Sequence, residues 1–234
     1  MAIDKKNELW YNFSMLEDFS IHNLFWKSRD EYARFDPQLS KLAGLPFVSR
    51  PSLIDEIPVL TPGIYILTGG RQVGKSTALK LIIQKLLEQN KLPAAQLYYI
   101  PCDTIRDFNQ LLFEIEQFRL SLKPEANFVL FLDEITYVEE WTRAIKSLAD
   151  AGFFRHGSVL ITGSDSCLLQ EAMKSFPGRR GSADEQDFHL YPLSFYEFVA
   201  LKDPKLCSNF TTIRKEFHND LKLGKPQIDP AVLT

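Results

Sequence analysis

The stretch Ile64-Tyr65-Ile66-Leu67-Thr68-Gly69-Gly70-Arg71-Gln72-Val73-Gly74-Lys75-Ser76-Thr77 decides how the chain is read. An apolar run of strand type leads into glycine, four residues, glycine, lysine and a hydroxyl, the pattern of a phosphate-binding loop. A helical pattern beginning at Ala78-Leu79 follows it. Each fixed position has a chemical task. Gly69 and Gly74 let the backbone curl so that the N–H groups of Gly70, Arg71, Gln72, Val73 and their neighbours turn inward toward phosphate oxygens. The N-terminus of the helix adds its partial positive charge. Lys75 is expected to reach the β- and γ-phosphates and Ser76 to ligate Mg²⁺, with Thr77 closing the loop. The expected ligand is a nucleoside triphosphate, ATP, with Mg²⁺.

Outward from that loop, short apolar runs alternate with helical patterns. Strands are expected at Ile64–Leu67, Gln96–Ile100, Phe128–Leu132, Ser158–Thr162 and Asp187–Tyr191. Helices are expected at about 75–89, 105–120, 139–151, 166–174, 195–201 and 210–223. In the first, Leu79, Ile82, Ile83, Leu86 and Leu87 form the stripe that packs on a sheet. Strand–helix alternation means an α/β three-layer sandwich around a parallel sheet. Residues 1–60 form an aromatic-rich helical extension, broken by Asp36-Pro37 and Gly44-Leu45-Pro46 into short helices. It either folds over the nucleotide base or caps the sheet. Residues 61–205 are the core, and 206–234 a helix and linker.

The third strand ends in Asp133-Glu134, the Walker B arrangement. Asp133 there sits beside the Mg²⁺ held by Ser76. Glu134 is the candidate general base that polarises a water for attack on the γ-phosphate, which implies hydrolysis rather than transfer to a second substrate. The fourth strand ends in Thr162-Gly163-Ser164-Asp165. Ser164 or Thr162 can hydrogen-bond the γ-phosphate or the attacking water; Ser164 or Asp165 can equally cap the next helix. Arg179 and Arg180, flanked by Gly178 and Gly181, can deliver a guanidinium to a neighbouring subunit's phosphate. Arg71 is expected to point outward, and Asp103 is an outer candidate near the metal. A guanine-selective Asn-Lys-x-Asp is missing, since Asn90-Lys91-Leu92-Pro93 lacks the aspartate.

Composition narrows the class. In 234 residues, 45% are hydrophobic and 24% charged, ordinary globular values, and the net charge is -3. The acidic balance gives no support to a nucleic-acid partner. No apolar run approaches the ~20 residues that span a bilayer, so no membrane role is expected. Cys102, Cys167 and Cys207 suit buried thiols in a reducing, cytoplasmic setting.

Five of these stretches together resemble the prokaryotic AAA-superfamily ATPases that carry a C-terminal domain of unknown function. They are Thr68–Thr77, Leu130–Ile135, Leu160–Ser164, Pro177–Gly181 and Leu190-Tyr191-Pro192-Leu193-Ser194-Phe195-Tyr196-Glu197-Phe198. The resemblance covers about residues 40 to 200. It implies a five-stranded parallel P-loop NTPase sheet in the order 5-1-4-3-2, ATP and Mg²⁺ as ligands, and a homo-oligomer in which Arg179 or Arg180 is the arginine finger supplied in trans. It also implies a further C-terminal domain, which the 234 residues do not include. Two functions follow: an ATPase driving an unknown protein partner, or a nucleotide-gated interaction module that binds ATP or ADP with little hydrolysis.

Overall fold

β1 (Gly63–Gly69) is buried along its whole length, as are β3 (Phe128–Asp133) and β4 (Gly157–Thr162). Continuous apolar strands of this kind belong inside a sheet covered on both faces. β2 (Leu97–Pro101) and β5 (Asp187–Leu190) complete a five-stranded parallel sheet in the order β5-β1-β4-β3-β2, the order that the family resemblance implies. This computed structural model describes residues 19–46, 48–164 and 178–202, with Leu169, Ala172, Lys174, Phe176 and Lys205. The helix expected at 166–174 falls largely outside the described residues, and that at 210–223 wholly so.

Among the described residues, seven α-helices have both ends given: α1 (Tyr32–Phe35), α2 (Pro37–Ala43), α3 (Leu53–Glu56), α4 (Lys75–Glu88), α5 (Phe108–Ser121), α6 (Trp141–Asp150) and α7 (Phe195–Lys202). Successive strand residues point to opposite faces, which sorts the core into two layers. On one face Ile64, Ile66, Leu130, Leu132, Val159 and Ile161 meet α5 through Leu111, Ile115 and Phe118, and α6 through Ile145 and Leu148. On the other, Tyr65, Leu67, Tyr99, Phe131 and Leu160 meet α4 and Phe25, Tyr32, Leu39, Ile54, Ile57 and Val59. All five residues of the expected α4 stripe are buried.

Two helix starts differ from the sequence expectation, each for a local reason. α5 begins at Phe108 rather than 105, because the Asp107 carboxylate accepts from the N–H groups of Asn109 (2.8 Å) and Gln110 (3.1 Å). That cap is worth about 1 kcal/mol. α6 begins at Trp141 rather than 139, because Glu140 sits at φ 53°, outside the helical region.

The chain divides into two compact units. One holds the sheet and its layers, up to Gly44 and from Arg50 to Tyr191; the other holds Leu45–Ser49 with the chain from Pro192 on. In the second unit, Ser194 and Glu197 form a reciprocal cap at the start of α7. Ser194 donates to the Glu197 carboxylate through N–H (2.8 Å) and hydroxyl (2.6 Å), and its Oγ accepts from the N–H of Glu197 (3.2 Å). These bonds hold the Glu197 carboxyl below its ordinary pKa.

In the first unit, the described part of the N-terminal extension packs on the outer edge of β2 and on α4. Asn23 and Trp26 bond the β2 backbone, and Arg29 donates to the carbonyl of Leu87 at the end of α4.

Candidate functional site

The loop between β1 and α4 is built from backbone conformations that few residues other than glycine adopt. Gly69 has φ 152°, and a Cβ there would lie 2.6 Å from the carbonyl oxygen of Leu190 on the neighbouring strand. Gly74 has φ 99°, and a Cβ there would meet nothing within 4 Å, so its constraint is the left-handed backbone itself. Gln72 also has positive φ. Gly70, Arg71 and Gln72 are exposed, whereas Val73, Ser76 and Thr77 are half-buried. Lys75, the first residue of α4, is only 4% exposed. Its ammonium donates to the carbonyls of Gly69 (3.1 Å) and Gly70 (2.9 Å) and stands 3.9 Å from Oε1 of Glu134.

Parallel strands bring their C-terminal ends to one edge, and that edge assembles the rest. Asp133, the last residue of β3, is buried with both carboxylate oxygens engaged. Oδ1 accepts from the hydroxyl of Thr162 at 2.7 Å, and Oδ2 from the phenol of Tyr99 at 2.6 Å. Burial, and then the Asp133 carboxylate, push the Tyr99 phenol far above its ordinary range, so it stays protonated as the donor. The Thr162 oxygen in turn accepts from the N–H of Glu134 at 3.0 Å. Glu134 lies in the left-handed region (φ 55°), which aims its side chain across the edge. Its Oε2 accepts from the backbone N–H of Ser164 at 2.7 Å. Cys102 is fully buried, and desolvation followed by the charges of Asp133, Asp103 and Glu134 pushes its thiol up. It is an inert packing residue.

The structure therefore brings together Gly69 through Thr77, Asp133, Glu134, Thr162 and Ser164. Thr162 is wholly buried; its hydroxyl donates to Asp133 and accepts from the backbone N–H of Glu134. Ser164 is half-buried at the rim, and Asp165 lies outside the described residues. Arg179 and Arg180 are elsewhere. Gly181 pairs with Gly63, the first residue of β1, and β1 runs about 20 Å from there to Gly69. The Arg179 guanidinium pairs with Asp150 at the end of α6 and holds that carboxyl below its ordinary pKa. Arg180 pairs with Asp187 and donates to the carbonyl of Gln186 (2.9 Å). Asp103 is exposed. Tyr99 and the positioning use of Thr162 are additions. A tyrosine on an apolar strand reads as core until the β2–β3 pairing, Tyr99 beside Phe131 and Pro101 beside Asp133, sets it on the same face as Asp133.

The groups at this edge fit the chemistry of a nucleotide with a hard cation. Hydroxyl and carboxylate oxygens at Ser76 and Asp133 suit Mg²⁺, which takes one or two protein ligands plus phosphate oxygens. Among the described residues no cluster of three or more His, Cys, Asp or Glu could hold a metal by itself.

The parallel sheet and the loop at its edge define a nucleotide-binding protein of the P-loop ATPase type. The chain belongs to the AAA domain family, whose sequence profile matches residues 61–199, more than half of its length. An uncharacterised protein of Methanocaldococcus jannaschii is 32% identical over 164 residues, 68% of this chain and 33% of that protein. The chain thus spans about a third of the length of that relative. Among solved structures, Cdc6p of Pyrobaculum aerophilum is similar at 16% identity and TM-score 0.42, over 66% of this chain and 45% of that one. A Walker-type ATPase of Pyrococcus abyssi is similar at 17% identity and TM-score 0.39, over 74% of this chain and 56% of that one. No helix among the described residues is long and apolar enough to cross a membrane.

Proposed function

We propose that the chain binds ATP with Mg²⁺ and hydrolyses it to ADP and phosphate. The observation that carries this reading is the placement of Glu134 at 3.9 Å from the Lys75 ammonium, beside an Asp133 carboxylate fixed on both oxygens. The N–H groups of residues 70–76 and the start of α4 receive the phosphates. The Lys75 ammonium exchanges its two loop carbonyls for β- and γ-phosphate oxygens. Ser76 and Asp133 would hold Mg²⁺, which would supply Lewis-acid polarisation of the phosphates. Glu134 takes the proton of a water as its oxygen bonds the γ-phosphorus. The bond from that phosphorus to the β,γ-bridging oxygen breaks, and its electron pair leaves with ADP. Ser164, at the rim, is within the reach of Glu134 and is assigned to the γ-phosphate or the water.

Substitution of Glu134 by Gln tests this assignment, since the amide keeps the shape and loses the base. Steady-state phosphate release is expected to fall by roughly 10²- to 10⁴-fold, with ATP binding retained. Unchanged release from an active parent would remove Glu134 from the role.

A second reading, a nucleotide-gated interaction module with little hydrolysis, draws on one observation. One oxygen of the Glu134 carboxylate, Oε2, already accepts from the Ser164 N–H. Single-turnover hydrolysis no faster than buffer would favour it.

The arginine finger is proposed in trans, because Arg179 and Arg180 stand at the other end of β1 from their own loop. Arg179, with a side chain 31% exposed against 14% for Arg180, is the better placed of the two. Protein that remains monomeric with ATP and Mg²⁺ present would exclude both. The driven partner is proposed to be a protein; the net charge of -3 lends no support to a nucleic-acid partner.

A further inference from the structure

Both oxygens of Asp133 carry a hydroxyl donor, and the two donors are held differently. Thr162 stands on β4, inside the sheet, where its neighbours fix it. Tyr99 stands on β2, the edge strand, so its outward N–H and C=O have no strand partner among the described residues. The wholly buried Asn23 takes both: its carboxamide donates to the carbonyl of Tyr99 (2.9 Å) and accepts from its N–H (2.8 Å). The Tyr99 ring is covered by Lys80 of α4, whose ammonium lies 5.5 Å from the ring centroid and pairs with Asp36 at 2.7 Å. A side chain restrained at its backbone, its ring and its hydroxyl has little freedom to move the group it donates to.

We propose that Tyr99 is a positioning residue for the Asp133 carboxylate, fixing the plane in which that carboxylate meets a nucleotide-bound Mg²⁺. The inference rests on the metal role proposed for Asp133. A carboxylate turns about one bond, and a donor on each oxygen fixes that turn. Each oxygen keeps a second lone pair for the metal or its water. Partners that orient metal ligands typically change metal affinity by roughly 10- to 100-fold when removed.

Tyr99→Phe removes the hydroxyl and leaves the ring in place. The probe is the non-hydrolysable analogue AMP-PNP, titrated calorimetrically into parent and variant, once in EDTA and once in excess Mg²⁺. In EDTA the two affinities are expected to agree within about twofold, because the phosphate loop is untouched. The gain in affinity on adding Mg²⁺ is expected to be about tenfold smaller in the variant. An equal Mg²⁺ gain in both proteins would overturn the proposal. So would an equal loss of affinity in EDTA, which would make Tyr99 a packing residue. A parent that binds AMP-PNP with no Mg²⁺ gain at all would refute the metal role of Asp133 itself, an outcome distinct from the other two.

Discussion

Asp36→Asn is expected to destabilise the protein by far more than a surface charge change would. Asp36 is 2% exposed and uses its two oxygens separately. Oδ1 caps α2, accepting from the N–H groups of Gln38 and Leu39 at 3.0 Å each, while Oδ2 accepts from Lys80 at 2.7 Å. Asparagine caps a helix as well as aspartate does, so the substitution isolates the charge pair. The Lys80 side chain is 10% exposed, and its ammonium would remain buried with an amide where its counter-charge was. Breaking one side of a buried pair costs about 3–5 kcal/mol. Asp36→Ala also removes the cap, for about 1 kcal/mol more. Against a typical folding stability of about 5–15 kcal/mol, either loss is a large fraction. Urea unfolding followed by fluorescence reads the difference, with an unchanged slope showing that stability alone has moved. The double variant Asp36→Asn/Lys80→Met removes both charges, and exchanging a whole buried pair is often near neutral. It is therefore expected to recover most of the loss. The reasoning fails if Asp36→Asn stays within about 1 kcal/mol of the parent, or if the double variant is less stable than the single one.

Three further outcomes are expected. Lys75→Ala should lower AMP-PNP affinity by about a hundredfold, the loss of a charged hydrogen bond of about 3 kcal/mol, with the circular dichroism spectrum unchanged; undiminished affinity by calorimetry would contradict it. Gly69→Ala should both unfold at a lower temperature and lose nucleotide binding, because its Cβ would press on the Leu190 carbonyl at 2.6 Å in a backbone at φ 152°. Gly74→Ala, with nothing near its Cβ, should show only the smaller left-handed cost of about 1–2 kcal/mol, so a Gly74 variant melting below the Gly69 one would reverse the argument.

The parts of the fold that could be read from the chain are those whose causes are local. β3 announces itself because six successive residues are buried on both faces, and α4 because its stripe repeats along one helix. The loop is legible since its glycines, lysine and hydroxyl act within nine residues of one another. Strand order is not local. It is implied by resemblance to a family, carried by the Pro177–Gly181 and Leu190–Phe198 stretches as much as by the loop. The helix starts moved for reasons that spacing does not contain, such as the left-handed Glu140 ahead of α6.

What escaped the sequence is the set of groups that hold the site in place, and the reason is sequence distance. Tyr99 meets Asp133 across 34 residues, Thr162 meets it across 29, Lys80 meets Asp36 across 44, and Asn23 meets Tyr99 across 76. In one dimension each looks ordinary: a tyrosine in an apolar strand, a threonine at a strand end, a lysine in a helix, an asparagine in an aromatic-rich preamble. Asp36-Pro37 reads correctly as a break, yet the same aspartate turns out to cap α2, with Pro37 at its first position, and to bind the helix that carries Lys75. The preamble had two readings, a lid on the base or a cap on the sheet. Its described residues in the first unit sit on the β2 edge and α4, where they hold Tyr99 and Lys80. A segment so placed needs no contact with nucleotide to matter to it: through Asn23, Tyr99 and Asp133, its packing reaches the carboxylate on which the proposed metal site depends.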